Sequence, residues 1–319
     1  MLLPYRADLP YYRFPVVTVL IGIASLWVFY LQQETAALHR SAIEMACDLD
    51  SDPVFAATVE RITGHADLNH CGQLMTAIQA QPDKRAFVTR YLQNSASSPR
   101  DSAGATPAAP ADAATALLAR YEVFKNANVD PITEVFAYNP RSFNLLQSIT
   151  AKFLHRDLWH LLANVVTFVI FAAAVEIIIG SVPFMLLVVI IGYLADTAYS
   201  LAVMNAAQIE TTLGLSSVTL GMLGLFFYFV PTMRIRCLVW RLRSFTQWTL
   251  APGWFVAAYL AVEIGRITIS SDISFFHFVE HGAGALAGVL IGALLFPQRQ
   301  QLLQPLQALS PRPPRHPHY

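Results

Sequence analysis

Six apolar stretches, at about 14–31, 158–179, 182–204, 215–230, 251–269 and 275–296, limit what this chain can fold into more than any other feature of it. A helix that crosses a bilayer needs roughly 20 apolar residues at about 1.5 Å each, and these runs approach that length. The first is long for the apolar part of a secretory signal, and no clear A-x-A cleavage site follows it, so it reads as an uncleaved span. Hydrophobic residues make up 55 % of the chain, charged residues 13 %, and the mean hydropathy is +0.45. Those values exclude an ordinary soluble domain and predict an all-α, polytopic membrane protein whose immediate partner is the lipid bilayer. Basic and acidic residues balance at 21 each, so no net charge points to nucleic acid.

Arginines assign the sides. Arg234, Arg236, Arg241 and Arg243 crowd the fourth connection, Arg6 and Arg13 precede the first span, and Arg299 follows the last. By the bias of cationic residues toward the cytoplasm, both termini are expected inside, as in a bacterial inner membrane, and the long first connection outside. The expected organisation is a cytoplasmic N-terminus with the first span (1–31), a small helical extracytoplasmic subdomain (32–93) and an Ala/Ser/Pro linker (94–114). A loop (115–150), a core holding spans two to six (151–296) and a cytoplasmic tail (297–319) follow. Cys47 and Cys71 both fall in the subdomain, either as a disulfide that an oxidising exterior permits or as two buried thiols. Cys237, on the inner connection, is expected to stay reduced. The sequence carries no internal repeat of the transporter kind and no phosphate-binding glycine loop.

Two polar residues sit inside this apolar frame. The fourth stretch is about 24 Å long at helical rise, short of a hydrocarbon core of about 30 Å, so Ser216 at its head is expected to be sunken. The polar run 205–212 then has to follow it down, which irregular backbone tolerates only beside protein or water. His281 lies about six residues into the sixth stretch, some 8 or 9 Å deep from the same side. Gly284, Gly288 and Gly292 at spacing four thin that helix, and Gly221 and Gly224 thin the fourth, so the two backbones can approach closely. Close packing would bring a hydroxyl and an imidazole within hydrogen-bond reach, the geometry of an activated serine. Small residues that merely pack, around a satisfied core histidine, are the plainer alternative. In His155-Arg-Asp-Leu-Trp-His160-Leu-Leu-Ala-Asn164, His160 and Asn164 share one helix face. With the Ser216 amide they can donate to a charge developing on a carbonyl oxygen. His155 reads as a loop anchor, and an intramembrane Asn also commonly bonds a neighbouring helix.

Together, H-x4-H-x3-N, G-x-S-x and H-x2-G-x3-G in this order resemble the rhomboid intramembrane serine proteases over roughly 153–295. The resemblance implies a six-helix bundle around a short central fourth helix, and hydrolysis of peptide bonds in or near transmembrane segments of substrate proteins, with no cofactor. It also implies Ser216 as nucleophile and His281 as general base and acid. Asn164, His160 and the Ser216 amide would form the oxyanion hole, with Gly214, Gly224, Gly284 and Gly288 allowing close approach around the site. The chain departs from the family pattern at Ser217, where Gly is common, and at Leu220, where an aromatic ring commonly faces the histidine. Glu280 stands where a small residue is usual, and Leu146-Gln147 about where a Trp-Arg pair is usual.

Two other readings start from different residues. His277-Phe-Val-Glu280-His281 matches the inverted zinc-protease motif H-x-x-E-H, though no Asp or Glu follows Glu280 to complete the ligands. Asp196, Glu263 and Arg266 within spans would suit a transporter, or a rhomboid-like protein that binds without cleaving. An Asp196–Arg266 ion pair is the structural counterpart of that reading.

Overall fold

The computed structural model describes residues 2–7, 13–95, 110–206, 209–231, 235–241, 244–269 and 272–309. Arg234, Arg243 and most of the expected linker therefore lie outside the described residues. In chain order the elements are β1 (Leu2–Ala7), α1 (Val16–Ala46), α2 (Pro53–Thr63), α3 (Leu68–Gln79), α4 (Lys84–Ser95), α5 (Pro110–Ala127), α6 (Ile132–Phe136) and α7 (Leu145–Ala151). They continue with α8 (Leu158–Ile179), α9 (Ser181–Ala202), α10 (Ser216–Phe229), β2 (Ile235–Arg241), β3 (Ser244–Leu250), α11 (Pro252–Ile269), α12 (Asp272–Leu295) and α13 (Arg299–Leu309). The protein is an all-α polytopic membrane protein with little sheet. Two compact units divide it, one formed by 1–30 with 136–319 and the other by 31–135.

Each apolar stretch coincides with a helix to within a few residues, apart from α1, which runs on to Ala46. Among the described residues α1, α8, α9 and His277–Leu295 of α12 are long and apolar enough to cross a membrane, and α10 is a shorter apolar helix. Their outward faces need lipid. Val182, Met185, Leu186, Ile190 and Leu194 are exposed along α9, and Leu286, Leu290 and Leu294 along α12. A belt of that kind in water would be a large apolar patch.

At the centre stands α10, buried from Ser217 through Phe226. Phe168 and Phe171 of α8, Phe184, Leu187 and Ile191 of α9, and Val218, Met222 and Phe226 of α10 form one core. The α10–α12 seam is closer than side chains would permit. A Cβ on Gly288 would strike the Gly221 carbonyl oxygen, one on Gly284 that of Ser217, and one on Gly224 that of Ala285. Two residues further along α12, the exposed leucines fall on the opposite face, as a step of about 200° requires. At the other end of α8, the buried Glu176 accepts the Val17 and Thr18 amides at 3.0 and 2.8 Å. A carboxylate there satisfies amides that lack intrahelical partners and complements the helix dipole.

Several features differ from expectation. The fourth connection is a β-hairpin, with β2 pairing antiparallel to β3 from Ile235↔Leu250 to Arg241↔Ser244, and β1 adding a third strand on β2. The β-branched and aromatic residues Ile235, Val239, Trp240, Phe245, Thr246, Trp248 and Thr249 are the strand signal in this connection. Helix α5 begins at Pro110, so the end of the expected linker and much of the expected loop are helical, as α6 and α7 are further on.

In the unit 31–135, Phe55, Val59, Met75, Ile78, Leu117 and Phe124 share a core beside a Cys47–Cys71 disulfide, of the two readings left open the bridged one. Asp52 caps α2 through the Phe55 amide at 3.0 Å and Asp67 caps α3 through the His70 amide at 2.9 Å. Each supplies an acceptor to an orphan N–H of the first turn.

Candidate active site

Ser216 is the first residue of α10, and its Oγ lies 2.7 Å from Nε2 of His281 on α12. Both side chains are half-buried. The contact follows from the glycine seam, because only backbones this close allow a side chain as short as serine to reach across. No side chain caps α10 at Leu215, so the Ser216 amide belongs to the helix's first turn of donors. Gly214 has φ +114°, a conformation L side chains rarely adopt, and a Cβ there would lie 3.0 Å from His160 Cε1 and 3.2 Å from its Nε2. The irregular chain before Ser216 is held by protein backbone. Tyr138 and Thr212 exchange two amide–carbonyl bonds of 3.0 Å, and the Gly214 amide donates to Ala151 at 2.9 Å.

Asp157 caps α8 by accepting the His160 amide at 2.8 Å, which sets His160 at the third helical position. The Arg156 amide donates to His160 Nδ1 at 3.4 Å, so in neutral His160 the proton sits on Nε2, the nitrogen beside Gly214. Asn164 Nδ2 donates one hydrogen to the His160 carbonyl at 3.1 Å and lies 3.9 Å from the position a Gly214 Cβ would take. Thus Ser216, His281, His160, Asn164 and Gly214 gather at one place. His155 sits apart as an anchor, buried, with Nδ1 3.2 Å from the Phe153 carbonyl and its ring edge-on to His160. Burial and the neighbouring His160 push its pKa down to about 4.

Sequence reasoning missed two participants. Tyr259 of α11 stands edge-on to the His281 ring, centroids 5.7 Å apart, on a helix that supplied no motif. Lys152, just after α7, is 4 % exposed and binds Asp196 Oδ1 at 2.6 Å, Ser217 Oγ at 3.1 Å and Glu280 Oε1 at 3.4 Å. Its signal was a lone lysine within Ile149-Thr-Ala-Lys-Phe-Leu, amid otherwise uncharged sequence. Asp196, for which Arg266 was the expected partner, is held by Lys152, with Ser148 on its other oxygen. The side chains of Glu263 and Arg266 lie outside the described residues.

Of the H-x-x-E-H residues, His277 and Glu280 lie 3.8 Å apart, Nδ1 to Oε2, and each has further partners. His277 stacks on Tyr199 at 5.7 Å, Glu280 accepts from Lys152 and Thr212, and His281 meets Ser216. Among the described residues no group of three or more His, Cys, Asp or Glu is arranged to hold a metal ion.

Residues 142–298 match the family model described as the Rhomboid domain. No curated protein matches the chain.

Proposed function

Because residues 142–298 place this chain in the rhomboid family, a family of intramembrane proteases, we propose that it is a serine endopeptidase cleaving membrane proteins in or near their transmembrane segments. The observation that carries the proposal is the 2.7 Å contact between Ser216 Oγ and His281 Nε2 at the uncapped start of a buried helix. Ser216 attacks the scissile carbonyl carbon while its proton passes to His281 Nε2, forming a tetrahedral oxyanion. That oxygen receives the Ser216 amide, an Asn164 Nδ2 hydrogen and the His160 Nε2 hydrogen, donors already oriented before charge develops. Collapse breaks the C–N bond as His281 returns the proton to the leaving amine, and a water molecule deprotonated by His281 then hydrolyses the acyl-enzyme.

Substrate must enter from lipid and expose a carbonyl that its own helix would otherwise hold, which favours segments with small or helix-breaking residues. Water reaches a half-buried serine from the extracytoplasmic side. The Cys47–Cys71 bridge supports that assignment of the first connection, since disulfides persist in oxidising compartments. Both termini are then cytoplasmic.

Wild type, Ser216→Ala and His281→Ala, purified and assayed on a transmembrane reporter, test the reading. Cleavage and labelling by a serine-reactive fluorophosphonate are expected in wild type alone. Undiminished cleavage by Ser216→Ala, or chelator-sensitive cleavage without labelling, would overturn it. Binding without cleavage by wild type would move the protein to the binding class.

A further inference from the structure

The two chain neighbours of the dyad share one buried cation. Ser217 follows Ser216, Glu280 precedes His281, and Lys152 Nζ donates to both, at 3.1 and 3.4 Å, with its third donor on Asp196 at 2.6 Å. An ammonium has three hydrogens, and three acceptors are here. Glu280 uses its other oxygen to accept the Thr212 hydroxyl at 2.7 Å, and Asp196 accepts from Ser148. Ser217, Asp196, Glu280, Thr212 and Ser148 are all buried. Ser217 and Glu280 are also two of the positions where the sequence departs from the rhomboid pattern, and both are partners of Lys152.

A charge in apolar surroundings holds its partners tightly, because water does not compete for them. Lys152 therefore ties the start of α10 to α12 one residue away from the reacting pair on each helix. We propose that Lys152 is a positioning residue of the active site, setting the Ser216–His281 distance by binding Ser217 and Glu280. The inference rests on the dyad reading.

The test is the rate of fluorophosphonate labelling at Ser216, with kcat and KM on a transmembrane reporter, for purified wild type, Lys152→Met, Ser217→Ala, Glu280→Gln and Ser216→Ala. Thermal unfolding supplies the folded fraction of each. Lys152→Met is expected to label at least about tenfold more slowly per folded molecule and to lose kcat with KM nearly unchanged, as misalignment of a nucleophile does. Ser217→Ala and Glu280→Gln should each slow labelling severalfold, and adding either to Lys152→Met should bring little further loss, since they act through one another. Wild-type labelling in folded Lys152→Met overturns the proposal. Should Lys152→Met not fold, wild-type labelling in both milder variants overturns it. Cleavage that survives Ser216→Ala defeats the protease reading instead, a result separable from any behaviour of Lys152.

Discussion

Residues 216 and 281 meet in a half-buried place, while 217 and 280, one step along the same helices, face a closed ionic one. A helix turns about 100° per residue, so one step suffices to separate the hydroxyl–imidazole pair from the ionic cluster. The Ser216–His281 pair is half-buried and joined by a hydrogen bond of 2.7 Å. The closed cluster joins Lys152 to Asp196 and Glu280, with the Ser148 and Thr212 hydroxyls on their other oxygens and His277 3.8 Å from Glu280. Chemistry and stiffness are thus divided between adjacent residues.

If that division is real, variants on its two sides should fail differently. The largest effect belongs to Ser216→Ala. Cleavage should fall by at least about 10⁴-fold, as for nucleophile removal in other serine hydrolases, while unfolding free energy changes by only about 1 kcal/mol for one lost hydrogen bond. A Ser216→Ala protein that melts early would break the comparison. On the closed side, Lys152→Ala removes the ammonium that two buried carboxylates share and should cost about 3–5 kcal/mol of stability, visible as a lowered midpoint in detergent unfolding. A midpoint equal to wild type would mean that the cluster holds nothing together.

Asn164→Ala removes one donor and should lower kcat by about 10²–10³-fold with stability nearly kept. A change confined to KM would remove Asn164 from the charge-stabilising set. The smallest effect is pH-dependent. Burial and the neighbouring His160 depress His155 to about 4, from an ordinary 6.5. Below pH 6.5 the unfolded chain therefore binds a proton that the folded chain refuses, and stability falls as pH drops from about 6.5 to about 4, by up to about 3 kcal/mol. Above pH 6.5 this group adds no pH dependence. Replacing His155 by Gln should flatten the acid limb of a midpoint-against-pH plot, and an unchanged limb would reassign that sensitivity to other groups.

Much of this was legible in advance. Apolar runs located α8, α9, α10, α11 and α12 because a bilayer selects for length and hydropathy, both local properties. Ser216, His281, His160 and Asn164 were legible because a hydroxyl, imidazoles and an amide at membrane depth need a reason. The glycines of α12 pointed to a close seam because their spacing of four lies along one face. Lys152 and Tyr259 were not legible, since Lys152 acts on residues 44 to 128 positions away, Tyr259 acts on a ring of the next helix, and neither belongs to a repeating pattern. The β2–β3 hairpin was hidden because its arginines had already been read for topology.

The chain's order of residues by itself determined that it is a multi-pass membrane protein, which of its stretches form apolar helices, and which hydroxyl and imidazole stand out within them. Those follow from hydropathy, rise per residue and side-chain chemistry. Only the tertiary structure decided that Asp196 belongs to Lys152 and that Ser217 and Glu280 share that lysine. Pairing among buried charges depends on which helix faces meet, and meeting faces are set by packing across the whole bundle.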